Sequence, residues 1–147
     1  MQFNLRLLKE DDFLNGFFDT LSNLSEIGDI NKNSERIKEI FKELSYNKNF
    51  KIIVAEDKEN HKIIGTATLF IEQKFIHDGG KVGHIEDVAI KKGFQNKGLG
   101  KEIIKELIEI AREEKCYKVI LDCDEKVSRF YEKIGFKRHS IMMRINI

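Results

Sequence analysis

The chain has no proline and no tryptophan, and only two cysteines, Cys116 and Cys123. Without proline, its turns must rely on Gly, Asn and Asp. Two cysteines at a spacing that fits no zinc motif build neither a disulfide scaffold nor a metal centre. No metal is therefore expected, and a reduced, cytoplasmic setting is the default. Charge of one sign is lacking as well: 26 Lys and Arg face 25 Asp and Glu, for a formal net charge of +1. That balance excludes a global pull toward nucleic acid or an anionic membrane, so no nucleic-acid partner is expected. Apolar runs stop far short of a membrane span, and no signal peptide is expected. Repeats, linkers and low-complexity stretches are missing too. One domain over residues 1–147 is the natural reading of the length.

What is present alternates between strand and helix patterns. Phe3 to Leu7 alternates like a half-buried strand. Glu10, Asp11 and Asp12 suit a helix N-terminus. Phe13, Leu14, Phe17, Phe18, Leu21 and Leu24 then make one apolar helix face, closed near Gly28. A second helix is expected from Ser34 to about Leu44, capped by Ser34 or Asn33. Residues 50–56 and 62–72 read as strands around a turn at 57–61. A further strand is expected over 118–123, a helix through Val127, Phe130, Tyr131 and Ile134, and an extended tail from Phe136 to Ile147. The order β-α-α-β-β-β-α-β-α-β predicts an α/β domain around a mixed sheet.

The stretch Gly83 to Leu107 organises the rest. His84 to Ile90 is extended and branched, with Glu86 and Asp87 in its middle. Gln95-Asn96-Lys97-Gly98-Leu99-Gly100 follows, then a helix with Leu99, Ile103, Ile104, Leu107, Ile108 and Ala111 on one stripe. Glycines let the backbone approach a ligand, and the free N–H groups of a helix start favour a phosphate. A dinucleotide loop is excluded because Ile103 stands at its third glycine. A P-loop is excluded because Gln95 replaces its first glycine and Glu102 its hydroxyl residue.

Gln-x-x-Gly-x-Gly after a strand resembles the acyl-CoA loop of the GNAT superfamily of N-acetyltransferases. The likeness extends through Gly83-His-Ile-Glu-Asp-Val, Ile71-Glu-Gln-Lys-Phe-Ile-His77, Leu24-Ser-Glu-Ile-Gly28, Cys116-Tyr-Lys-Val-Ile-Leu-Asp-Cys and Phe130-Tyr-Glu-Lys-x-Gly-Phe. These motifs resemble the glucosamine-6-phosphate N-acetyltransferase family, in its order, from about Leu5 to Arg144. The tail from Phe136 to Arg144 departs from the family pattern in reading shorter, and Asn96 replaces a frequent glycine.

The resemblance implies the GNAT fold and transfer of the acetyl group of acetyl-CoA to the 2-amino group of D-glucosamine 6-phosphate. The step serves UDP-N-acetylglucosamine biosynthesis. It also implies a homodimer with a shared sugar site. Cofactor contacts then fall on Val88, Ala89 and Ile90, on Gln95, Asn96, Lys97, Gly98, Leu99, Gly100 and Lys101, and on Asp122 and Tyr131. Sugar-phosphate contacts fall on Ser25, Lys74, Phe75, Ile76, His77, Glu86, Asp87, Val88, Tyr117, Lys118 and Arg144. Catalytic roles fall on four residues: Asp122, assisting amine deprotonation through its carbonyl; Tyr131, facing the CoA sulfur; and Glu86 and Asp87. Adjacent strand residues point to opposite faces, so the last two share a pocket only across a bulge, which the family commonly has.

Direct amine attack in a ternary complex needs no protein nucleophile, so Cys116 and Cys123 are read as small packing residues, and Phe130 as the core aromatic beside Tyr131. Two other readings stay open. One is a GNAT enzyme for a different amine; the other is an acetyl-CoA-binding sensor without turnover.

Overall fold

The computed structural model describes residues 2–147. Five strands form one sheet in chain order: β1 Phe3–Leu7, β2 Phe50–Asp57, β3 Ile63–Gln73, β4 Lys81–Ile90 and β5 Cys116–Ile120. The first four pair antiparallel, and β5 joins β4 in parallel. The helices are α1 Phe17–Leu21, α2 Ser34–Tyr46, the short turn α3 Ile76–Gly79, α4 Leu99–Glu113 and α5 Glu125–Glu132. The mixed α/β sheet is the architecture expected from the sequence.

α4 covers one face of the sheet. Its apolar stripe, Leu99, Ile103, Ile104, Leu107 and Ala111, is fully buried against Ile53, Ala67, Leu69 and Ile85. The helix lies so close that a Cβ on Gly65 of β3 would meet Ile103 Cδ1 at 2.7 Å. The other face is covered differently. α1 packs Phe17 on Val54 and Ile63, and Thr20 Oγ1 donates to the Ile63 carbonyl at 2.8 Å. α2 is capped by Asn33, whose side chain accepts from the Arg36 N–H at 3.0 Å, yet none of its residues is fully buried; Ile37, Ile40, Phe41 and Leu44 are half-buried, with the Phe41 ring 5.5 Å from that of Phe13. A cavity of about 390 Å³, open on one side, separates its apolar face from the sheet. A sealed dry void of that size would cost on the order of 9 kcal/mol, comparable to a domain's whole stability. The space is therefore a cleft that admits water or a ligand.

Four elements differ from the sequence reading. The single first helix is two pieces: a 3-10 turn over Glu10–Leu14, then α1. Gly16 between them sits at φ 96°, which breaks the helix and leaves Leu14 and Leu24 exposed. β5 starts and stops early, so Asp122 and Cys123 lie in the loop beyond it rather than in a strand. Cys123 is exposed, not a buried packing residue. The tail from Lys137 to Ile147 forms no strand, because no strand edge of its own chain pairs with it, and Ile141, Met143 and Ile145 are exposed.

Candidate active site

The site is built where β4 and β5 part. Their pairing covers only Lys81 to His84 against Cys116 to Ile120. β4 continues to Ile90 without a partner on that side, so Val88 to Ile90 offer backbone groups to an extended ligand arm.

A bulge interrupts β4 at this point. Thr66 pairs with Ala89 and Thr68 with Glu86, so Asp87 and Val88 together oppose Ala67. Asp87 takes φ 51°, a left-handed conformation that an aspartate side chain tolerates. The extra residue frees Glu86 and Asp87 from strict alternation, as the family resemblance implied.

Acidic groups converge there. Burial first, then the charges of Asp122 and Asp87, push the Glu86 carboxyl above the ordinary carboxylate range. Asp122 stands beyond the end of β5, and its carbonyl accepts no backbone hydrogen bond among the described residues. Tyr131 on α5 is 9% exposed, wedged edge-on between Phe130 and Phe136. Burial, with Cys123 and Asp122 nearby, pushes its phenol up and keeps it protonated. Tyr131, not Phe130, is the more buried of the pair; Phe130 instead packs over Gly100, where a Cβ would come within 3.3 Å. The thiol of Cys116 is raised chiefly by burial, and that of the exposed Cys123 by partial desolvation beside the charges of Asp122 and Glu125, which keeps both from being ready nucleophiles.

Beside this cluster runs the loop from Gln95 to Gly100. Asn96 at φ 61° and Gly98 at φ 82° turn the chain into α4. Gly98 is the N-cap with no side-chain cap, so the first N–H groups of the helix face out. Gln95, Asn96 and Lys97 are exposed around them, with Lys97 Nζ 5.2 Å from the Phe94 ring centre. Lys101 is exposed on the first turn of α4, while Leu99 is buried beneath the loop. An anion fits such a helix start.

A second group gathers at the other end of β4. His77 and Asp78 are left-handed in α3, and the His77 ring lies 4.2 Å from that of Tyr117. Lys118 Nζ is 5.6 Å from the same tyrosine ring and has no acidic partner among the described residues. Lys74 is held by Glu72, which also bonds His84 at 2.8 Å. Phe75 and Ile76 are exposed beside them. Ser25 is exposed in the loop after α1, and Arg144 lies in the exposed tail, bonded to Asn146 at 2.7 Å. A single chain thus gathers Glu86, Asp87, Asp122 and Tyr131 in one place, and His77, Tyr117 and Lys118 in another. Among the described residues, neither Ser25 nor Arg144 makes a side-chain hydrogen bond or ion pair with either group.

Sequence reasoning missed Thr68, which faces Glu86 in register and lines the cleft with Asp87. No motif marks it; only the β3–β4 register could have found it.

A split sheet with a bulged strand and a phosphate-type loop at the head of the next helix is the frame of an acyl-CoA-dependent acyltransferase. The acetyltransferase (GNAT) family matches residues 17–136, and the chain belongs to that family, whose members take acetyl-CoA as donor. Within it, several relatives share one name. A probable glucosamine 6-phosphate N-acetyltransferase 2 of Oryza sativa subsp. japonica is 38% identical, covering 96% of this chain and 86% of that protein. Glucosamine 6-phosphate N-acetyltransferase 1 of Dictyostelium discoideum is 39% identical, covering 97% and 89%. The crystal structure of glucosamine-6-phosphate N-acetyltransferase from Arabidopsis thaliana superposes with a TM-score of 0.94 at 37% identity, covering 99% of both chains. The chain is an enzyme, an acetyltransferase. Among the described residues no group of metal-ligating side chains comes together, and no helix is long and apolar enough to cross a membrane.

Proposed function

We propose that this enzyme transfers the acetyl group of acetyl-CoA to the 2-amino group of D-glucosamine 6-phosphate, giving N-acetyl-D-glucosamine 6-phosphate and CoA. The amine attacks the thioester directly in a ternary complex, and the product feeds UDP-N-acetylglucosamine biosynthesis. The convergence of Glu86, Asp87 and Asp122 beside the unpaired edge of β4 carries this reading. A sugar ammonium must lose a proton before it attacks, and a carboxylate held above its ordinary range is a better base near neutrality.

Each part of the site has a task in this reading. Asp122 accepts from the amine through its free carbonyl. Backbone groups of Val88 to Ile90 bind the arm of acetyl-CoA and donate to the thioester oxygen as charge builds on it. The protonated phenol of Tyr131 donates to the departing thiolate. Donors at the head of α4, with Lys97 and Lys101, take the pyrophosphate.

The sugar phosphate goes to Lys118, Arg144 and His77, with Lys74 and Ser25 at the rim. Ser25 and Arg144 are exposed, and so are Ile141, Met143 and Ile145 of the tail around Arg144. Both observations support a homodimer in which a second copy completes the sugar site.

The test is CoA-thiol release with glucosamine 6-phosphate beside unphosphorylated glucosamine and a panel of other amines. Phosphate-dependent turnover is expected. Turnover only with another amine, or acetyl-CoA binding without turnover, would overturn the assignment.

A further inference from the structure

Each turnover must release one proton. The acceptor enters as an ammonium and leaves as an amide, while the thioester leaves as a thiol, so one proton is left over. With Glu86 as the base, that proton lands on its carboxyl and must be removed before the next substrate binds. Glu86 has no hydrogen-bond or ion-pair partner among the described residues. Its neighbours Asp87 and Asp122 are acids too, and of the charges acting on Glu86 only that of His84 favours the ionised form.

The register sets His84 beside Glu86. Thr68 pairs with Glu86 and Phe70 with His84, with no bulge between them, so both side chains stand on the sheet face away from α4. The Phe70 and His84 rings are 5.8 Å apart on that face. Two strand positions span about 6.6 Å, a gap that one bridging water closes. Glu72 fixes the ring: its Oε2 lies 2.8 Å from His84 Nε2, while its other oxygen holds Lys74. Lys74 first, then His84, keep the Glu72 carboxyl below its ordinary range, so it is ionised and only accepts. The hydrogen in that bond is therefore on Nε2, and in the neutral ring Nδ1 is the acceptor, without a partner among the described residues. The side chain is 25% exposed, so a proton on it has a way to water. Across the sheet, His84 pairs with Ile120, with Lys118 two positions before and Asp122 two positions after. The charged residues of α1 and α2 on the same side are all exposed.

We propose that His84 is the proton outlet of the site: Nδ1 takes the proton from the Glu86 carboxyl through one water, Glu72 steadies the imidazolium, and the proton leaves to solvent. One O–H bond breaks at Glu86, one N–H bond forms at His84, and the ionised base is restored. His84 touches no substrate; it is a positioning residue that acts through Glu86. The inference rests on the reading of Glu86 as the base.

CoA-release kinetics of the full chain, with a melting control, tests it on whichever amine the wild type acetylates. His84→Ala should lower kcat roughly tenfold, less than loss of a base that touches the substrate, and leave the KM for acetyl-CoA unchanged. Added imidazole should restore His84→Ala and leave Glu86→Gln unrestored. His84→Gln, which keeps a donor for Glu72, should be as slow as His84→Ala, and serves should that variant not fold. Glu72→Gln should lose less than either. Wild-type kcat in a folded His84 variant, or a His84→Ala deficit that imidazole does not relieve, would overturn the proposal. A second readout needs no turnover: in ring-nitrogen NMR of the wild type, neutral His84 should carry its hydrogen on Nε2, and its titration should move to lower pH in Glu86→Gln. A hydrogen on Nδ1, or an unmoved titration, would overturn it too. Failure of the sugar-phosphate assignment shows instead as wild-type enzyme that does not acetylate glucosamine 6-phosphate.

Discussion

The two faces of the sheet are held by different physics. Under α4 Leu99, Ile103, Ile104, Leu107 and Ala111 are buried and Ile108 is half-buried, and the helix presses on Gly65 with no room for a Cβ. Under α1 and α2 the packing is incomplete, and charge does much of the anchoring. Arg6 of β1 makes two bonds of 2.7 Å to Asp12 and one of 2.6 Å to Glu56, tying the Glu10–Leu14 turn to the sheet. Asp12 is 2% exposed. The face that carries the Gln95–Gly100 loop is thus closely packed, while the face opposite leaves a cleft. A donor common to a whole family can be met by a fixed frame. Acceptors vary, and the cover over their side of the sheet is the part with room to change.

The sharpest way to break this contrast is a matched truncation. Leu107→Ala on α4 should cost about 2–5 kcal/mol in denaturant unfolding, by lost burial and a cavity. Leu44→Ala on α2, half-exposed already, should cost roughly 1 kcal/mol. Equal costs would mean that α2 packs as tightly as α4.

Charge anchoring is tested next. Arg6→Met leaves the buried Asp12 carboxylate uncompensated and should cost about 3 kcal/mol by the same measurement. Its partner Glu56 is held below its ordinary range by His61 first and then Arg6. That contribution is present above the unfolded carboxylate pKa and is lost as pH falls through the lower folded one. Acid titration of melting temperature should therefore show a step in the wild type that Glu56→Gln lacks.

At the site between the faces, Tyr131→Phe should lower kcat by about a hundredfold, since only the phenol proton is removed and the ring still packs. CoA-release kinetics with a melting control separates this from unfolding. The smallest expected effect is on stability at Glu86. Its carboxyl is raised, so ionisation costs the folded state as pH climbs through the raised value. Glu86→Gln should melt slightly higher than wild type at pH 8, with the difference vanishing near pH 4, while activity falls.

Much of the frame was legible in the chain. The α4 stripe read correctly because a 3.6-residue period is written locally, and the Gln95–Gly100 loop because its glycines and its helix are contiguous. The first helix misread because the phenylalanine pattern continues across Gly16, and the period does not register one glycine turning left-handed. Residues 118–123 look like one strand, yet only the part that finds β4 to pair with becomes one. Tyr131 and Phe130 are neighbours in sequence, and their burial is decided by which side of α5 meets Phe136 and which meets Gly100.

By itself the sequence determined the alternation of strands and helices, the glycine loop at the head of α4 and the adjacent acids, because each depends on residues within a few positions. Tertiary structure alone decided the rest. The bulge at Asp87 exists only through the β3–β4 register, and the split beyond His84 only because β5 ends where β4 continues. The cleft under α2 comes from a helix whose apolar residues are only half-buried against the sheet. Those features depend on distances between segments far apart in the chain, and no local pattern encodes a distance.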